Sequence, residues 1–202
     1  MIKINNLTKK YKDKLAVDNL NLEMKTGELF SLLGTNGAGK TTTIKMLSTL
    51  ILPTSGEVDI NNLDLVKDSS KIKEIINISP QETAVASNLT VLENLYFMAG
   101  IYQIPNKEDK IKELIKLFKL EEVLKQKAKT LSGGYQRKLS IAISLINNPK
   151  ILFLDEPTLG LDVISRHDLW KVIEALKGKT TIILTTHYME EAEVLSDRIG
   201  IM

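Results

Sequence analysis

The chain has no cysteine. That excludes disulfides, thiolate zinc sites and cysteine nucleophiles. Histidine is scarce as well: only His167 and His187 are present, too few for a His-rich metal site. No sign of charge dominates. Across 202 residues, 27 Lys and Arg stand against 25 Asp and Glu, a formal net charge of +2. So mild a balance does not suit a nucleic-acid binder that relies on bulk positive charge, and no nucleic acid is expected as a partner. Long apolar runs are missing too. Ile141–Ile146 and Ile151–Leu154 are far too short to span a bilayer. The first residues, Met1 to Asn6, lack the apolar stretch of a signal peptide. These absences predict a soluble, cytoplasmic chain that reaches a membrane only through a partner. What is present is ordinary globular material, 43% hydrophobic and 26% charged, enough for a core in one domain or one domain with a small subdomain.

The pattern along the chain changes twice. Ile2–Leu7 reads as a strand, and Leu15–Met24 as one or two short strands, because its alternation breaks once. Leu29–Leu33 suits a buried strand, followed by a glycine-rich loop and a helix from about Lys40 to Leu50. Short strands are expected at Glu57–Ile60 and Ile75–Ser79. The middle is helical. Thr90 and Glu93 have the spacing of a capping box, opening a helix through about Tyr102. Ile111, Leu114, Ile115 and Phe118 then share one helical face. A further amphipathic helix after Gly133-Gly134 turns Leu139, Ala142, Ile143 and Ile146 inward. The last third alternates: a strand at Ile151–Leu154, a helix at Asp162–Leu176, a strand at Thr180–Leu184, a helix at Met189–Leu195 and a strand from Arg198. This order predicts a mixed α/β domain with a parallel core sheet, an antiparallel N-terminal β portion and a helical insert at about 84–147.

Gly34-Thr35-Asn36-Gly37-Ala38-Gly39-Lys40-Thr41 fits the phosphate-loop pattern, with Thr42 and Thr43 following. It sits between a predicted strand and a predicted helix, as the pattern requires. Glycines let successive N–H groups curl around an anion, and the helix N-terminus adds its positive end. Lys40 would reach the β- and γ-phosphates, and the Thr41 hydroxyl a Mg2+ shell. The plainer alternative is a glycine-rich turn with a chance Lys-Thr. Four apolar residues then precede two acids at Ile151–Glu156. Alone this is an ordinary buried strand ending on an acid. Beside a phosphate loop, Asp155 would serve Mg2+ through water, and Glu156 would accept a proton from an attacking water. Strand alternation is expected to separate the two acids' roles.

At Leu131-Ser132-Gly133-Gly134-Tyr135-Gln136 the chain resembles the signature motif of ATP-binding-cassette (ABC) ATPases. The family's other marks follow in order over essentially the whole chain. Tyr11 stands where the family has an aromatic stacking on adenine. Gln81 resembles the Q-loop, Pro157–Asp162 the D-loop, and Thr185-Thr186-His187 the switch-histidine motif. The resemblance implies a P-loop NTPase fold, a core at about 1–83 and 148–202, and a helical subdomain at about 84–147. It implies ATP and Mg2+ as ligands: the loop from Gly34 to Thr42 on phosphate, Thr41, Gln81 and Asp155 on the metal, Glu156 on water, and His187 on the γ-phosphate. Ser132, Gly133 and Gly134 would act on the nucleotide of a second, head-to-tail cassette, a copy or a paralogue. A transmembrane permease would be the coupled partner, holding the cassette on the cytoplasmic face.

Each mark has a plainer reading alone: Tyr11 a strand-end residue, Gln81 a polar loop residue, His187 a satisfied histidine, Ser132 and Asp162 helix caps, His167 a surface residue. Thr35 replaces a common proline, and Tyr135 the commoner Gln. Tyr135 and the Lys40–Leu47 segment resemble the drug-export branch. Family relatives usually continue beyond Met202, so the C-terminal part of the family domain is expected to be absent here. A soluble ABC-type ATPase and a non-hydrolysing nucleotide-gated scaffold are the alternatives to a transporter subunit. The absence of a long heptad run and of a second cassette weighs against the first. Glu156 weighs against the second.

Overall fold

The structure, a computed structural model, describes residues 1–202. Strand β1 (Ile2–Tyr11) pairs antiparallel with β2 (Lys14–Met24) and with β4 (Ser55–Ile60), which takes β5 (Leu63–Asp64) on its far edge. A second sheet holds β3 (Leu29–Leu33), β6 (Ile76–Ser79), β7 (Ile151–Asp155), β8 (Thr181–Thr186) and β9 (Arg198–Ile201) in the order β6-β7-β8-β3-β9. Every pair in it is parallel. The helices are α1 (Lys40–Leu47), α2 (Ser69–Ile75), α3 (Val91–Ile101), α4 (Lys107–Phe118), α5 (Gly133–Ser144), α6 (Val163–Glu174) and α7 (Met189–Leu195). No helix is long and apolar enough to cross a membrane.

The parallel strands read as unbroken apolar runs because both faces are covered. Side chains alternate between two cores. Leu152, Leu154, Ile182 and Leu184 face the larger core, shared with α3, α4, α5 and α6. Ile151, Phe153, Ile183, Phe30 and Leu32 face the smaller one, shared with α1 and the antiparallel sheet. The insert helices therefore do not float. Val91, Leu95, Ile111, Leu114 and Phe118 belong to the same apolar cluster as strand residues of the sheet.

Most expected elements appear; the two-residue β5 was not expected, and four other elements differ. β1 runs to Tyr11 rather than Leu7, because its polar second half still pairs with β2 around register shifts near Leu7 and Lys9. α2 was not expected: its sequence is polar and buries only Ile72, leaving almost no periodic signal. α1 stops at Leu47 instead of Leu50, where Thr49 enters the left-handed region at φ 60°. β8 continues through Thr185 and Thr186, whose side chains are buried and hydrogen-bonded. The Thr90–Glu93 capping box forms as expected: the Thr90 N–H donates to Glu93 Oε2 at 2.7 Å and the Glu93 N–H to Thr90 Oγ1 at 3.2 Å.

Gly56 marks where β4 comes closest to the irregular stretch of β1. Its φ is 93°, and a Cβ there would lie 2.4 Å from the Asn6 carbonyl oxygen and 2.6 Å from Leu7 Cα. Gly56→Ala should therefore lower stability by more than the ~1–2 kcal/mol that left-handed backbone alone costs a residue with a Cβ, measured by urea denaturation.

Candidate functional site

A parallel sheet delivers all its strand ends to one edge. Here that edge collects the exits of β3 into the glycine-rich loop, β6 into Gln81, β7 into Asp155 and Glu156, and β8 into His187. The loop is tied across the sheet by the Gly34 N–H donating to the Thr186 carbonyl at 3.2 Å. Gly37 and Gly39 adopt φ 88° and 103°, and Gly39 precedes α1. At Gly39 a Cβ would lie 2.4 Å from the Ala16 carbonyl oxygen, so the loop can approach β2 only as glycine.

Asp155 and Glu156 are both buried, at 3% and 5% exposure. Asp155 Oδ1 accepts from Thr185 Oγ1 at 2.6 Å and from Thr41 Oγ1 at 3.1 Å. Glu156 Oε1 lies 3.2 Å from the Lys40 ammonium, and its Oε2 lies 2.7 Å from His187 Nδ1. Lys40 also donates to the carbonyls of Gly34 and Thr35, at 2.7 and 3.1 Å. Alternation along a strand does not separate the two acids, as the sequence suggested. Glu156 lies past the end of β7 with φ 48°, and this backbone turn sends its carboxylate to Lys40 and His187. Left-handed backbone is strained for a residue with a Cβ and persists only where several contacts fix it. Here the Glu156 N–H donates to the Thr185 carbonyl and hydroxyl, while the Glu156 carbonyl accepts from Arg137 Nη2 at 2.6 Å.

A cavity of about 350 Å³ opens beside these groups. Tyr11, Asn36, Gly37, Gly39, Lys40, Thr41, Thr42, Gln81 and Glu156 line it, together with Lys14, Ala16 and Leu159. Tyr11 is 45% exposed, and the Lys9 ammonium lies 5.1 Å from its ring centroid. His187 does not line this cavity. It faces an adjoining cleft with Gly34, Thr35 and Asn36, and reaches the cavity only through Glu156. Ala38 borders a separate apolar recess at the β2 edge.

Ser132, Gly133 and Gly134 are absent from the cavity wall. Ser132 caps α5, its Oγ accepting from the Tyr135 N–H at 3.4 Å. The two glycines differ. A Cβ on Gly134 would lie 2.8 Å from Ser165 Oγ, so packing of α5 on α6 requires that glycine. A Cβ on Gly133 would meet nothing closer than Leu161 Cδ2 at 3.8 Å. Asp162 caps α6, with its Oδ1 accepting from the Ser165 N–H at 3.0 Å. The Ser165 side chain, and then this backbone N–H, hold its carboxyl below the ordinary range. His167 is exposed, as expected, and stacks on Trp170.

Sequence reasoning missed Arg137, Thr185 and Glu191. The Arg137 guanidinium is buried and donates to four carbonyls: Pro80 at 2.6 Å, Asp155 at 3.1 Å, Glu156 at 2.6 Å and Pro157 at 2.6 Å. Burial lowers its pKa, while Asp155, Glu191 and Glu156 act to raise it. A charged residue in a helix buried on nearly every side was the available signal.

The sequence matches the ABC transporter family model over residues 17–159. It is 43% identical to human "Phospholipid-transporting ATPase ABCA3" over the whole chain, spanning 12% of that protein. It is 40% identical to "Probable multidrug ABC transporter ATP-binding protein YbhF" of Escherichia coli, again over the whole chain and 35% of the relative. The chain thus spans 12% and 35% of the length of these two relatives. Among solved structures, the ATP-binding cassette MJ0796, a dimer in a post-hydrolysis state bound to ADP and Pi, matches with a TM-score of 0.88 and 31% identity. That match covers 100% of this chain and 94% of the other. With a glycine-rich loop, an acidic strand end and a switch-type histidine on one sheet edge, the chain belongs to the ABC transporter family and has its ATP-binding-cassette fold.

Proposed function

We propose that this cassette binds and hydrolyses ATP to drive transport, with export as its direction, through a membrane subunit. One observation carries the reading: Glu156 is held between Lys40 and His187 at the rim of a cavity walled by the glycine-rich loop. Residues 1–83 and 148–202 form its core and 84–147 its helical subdomain. Tyr11 takes the adenine at the mouth of the cavity. Lys40 and the amides from Gly34 to Thr42 hold the phosphates. Glu156 orients a water and takes its proton as the water oxygen bonds to the γ-phosphorus and ADP leaves. His187 steadies the carboxylate and would contact the γ-phosphate once its ring turns in from the adjoining cleft.

The donor set suits Mg2+. Thr41 and Asp155 present a hydroxyl and a carboxylate, hard oxygen ligands already hydrogen-bonded to each other, and Gln81 lines the same cavity. No group of three or more His, Asp or Glu side chains could hold a metal by itself, so phosphate and water would complete the shell. Mg2+ bound there supplies charge neutralisation on the phosphates.

Ser132 and Gly133 are exposed and away from the cavity, at the N-terminus of an eight-residue-plus helix. That placement, and the dimers formed by the solved cassette, support their use on the nucleotide of a second cassette, a copy or a paralogue. The segment from Gln81 to Met98 leads into α3, where Tyr96, Phe97 and Ile101 are exposed. That surface is our candidate contact with the permease, which would hold the cassette on the cytoplasmic face. The relatives named for phospholipid and multidrug transport support the export direction.

Lys40→Ala should weaken ATP binding in a calorimetric titration, and unchanged affinity would count against the phosphate loop. Glu156→Gln should keep ATP binding, abolish turnover and lengthen the life of the ATP-bound dimer in sedimentation. Wild-type turnover in that variant would remove Glu156 from the base role. Gly133→Ala has room for its methyl, so thermal stability should stay unchanged while ATP turnover falls.

A further inference from the structure

Glu191 stands in the first turn of α7 and is fully buried, at 0% exposure. Its Oε1 accepts from Thr158 Oγ1 at 2.8 Å and from Trp170 Nε1 at 3.0 Å. Its Oε2 is buried with no hydrogen-bond partner. None of the ion pairs in the protein includes it.

The cations around it are directed elsewhere: Arg166 on α6 lies over the Tyr188 ring, its buried Nε without a hydrogen-bond partner. Lys40 pairs with Glu156. Arg137, the cation acting on Glu191, directs its hydrogen bonds to the carbonyls of Pro80, Asp155, Glu156 and Pro157. Trp170 has His167 stacked on its ring at 4.8 Å, and Thr186 is near enough to act on the Glu191 carboxyl. Lys40 and Arg137 thus face three buried acids, Asp155, Glu156 and Glu191, and an ionised Glu191 would be the third anion against two cations. Such a group neutralises rather than staying charged. The oxygen pattern agrees: both donors fall on Oε1, leaving Oε2 to carry a proton that would point toward the Thr186 hydroxyl. Burial raises the Glu191 carboxyl above its usual range, the Thr186, Thr158 and Trp170 side chains act the other way, and the Glu156 carboxylate adds to the rise.

We propose that Glu191 is a positioning residue held as the neutral carboxylic acid, which fixes the turn after Glu156 through Thr158 and places no second negative charge beside it. The inference rests on the reading of Glu156 as the group that activates water. Thr158 lies two residues beyond Glu156, inside the turn closed by the Leu159 N–H donating to the Glu156 carbonyl at 3.2 Å. A neutral acid can accept from Thr158 and Trp170 indefinitely. A charged one would repel Glu156 and draw water into the turn.

Folding stability tests the protonation state without any turnover. A group protonated in the fold above the 4.5 of a free carboxyl stabilises fully below that pH and loses the contribution as pH rises. Glu191→Gln lacks this loss, so its urea midpoint should gain on wild type between pH 5 and pH 8. A gap that stays constant or shrinks overturns the neutral acid. Infrared spectra at pH 7 should contain a protonated-carboxyl band that Glu191→Gln lacks, and no difference also overturns it.

Positioning is tested separately. Glu191→Gln should keep near-wild-type kcat, whereas Glu191→Ala and Thr158→Val should lose about tenfold to a hundredfold in kcat with KM for ATP unchanged. Amide exchange at Glu156 and Leu159 should quicken in Glu191→Ala and not in Glu191→Gln. If Gln behaves as Ala does, the charged form is the working one; if Ala and Val change neither readout, Glu191 positions nothing. A wild type with no turnover sinks the ATPase reading alone, because stability, infrared and exchange still decide the role of Glu191.

Discussion

Two buried carboxylates at the end of one strand set the terms for everything around them. Asp155 and Glu156 are adjacent and nearly inaccessible to water. Unpaired buried charge is strongly unfavourable, so each needs its own compensation. Asp155 is satisfied by hydroxyls, Thr41 from the loop helix and Thr185 from the neighbouring strand. Glu156 is satisfied by Lys40 and His187. These partners come from two other strand exits, those of β3 and β8. The acids therefore fix the loop after β3 and the end of β8 relative to β7, and the left-handed turn at Glu156 is the local strain that this arrangement sustains.

The same constraint explains why the second group of backbone donors stands apart. Ser132 and Gly133 open α5, whose body is buried in the larger core, and Gly134 must remain glycine to seat α5 against Ser165. The helix is held by apolar packing at one end and by Arg137 near the other. Its exposed N-terminus cannot turn toward the cavity of the same chain without losing both. This end of α5 is therefore out of reach of whatever fills the cavity of the same chain.

The parallel sheet was legible because both of its faces are covered, which leaves unbroken runs such as Ile151–Leu154. The phosphate loop was legible because its chemistry is local: glycine conformations, one lysine and one hydroxyl within a single turn. Partnerships between distant segments were not. Nothing near Arg137 in the sequence points to Pro80 or Glu156, and Glu191 looks like one more solvated acid in Glu190-Glu191-Ala192-Glu193. The register Asp155–Thr185 comes from strand pairing that spacing alone does not give. α2 was invisible for the opposite reason, since a helix that buries only one residue carries no periodicity.

Arg137 shows how these pieces form one body. A guanidinium offers several donors in a rigid plane, so it can join carbonyls that no single backbone interaction would bring together. Here one plane joins the exit of β6 at Pro80 to three consecutive carbonyls after β7. Its own helix begins at the exposed Ser132-Gly133 end. Displacing α5 would break four hydrogen bonds and leave buried carbonyls without partners, each lost bond costing about 1–3 kcal/mol. The entrance to Gln81, the backbone of Glu156 and the start of α5 must therefore move together or not at all, and a contact made at any one of them reaches the other two through this single side chain.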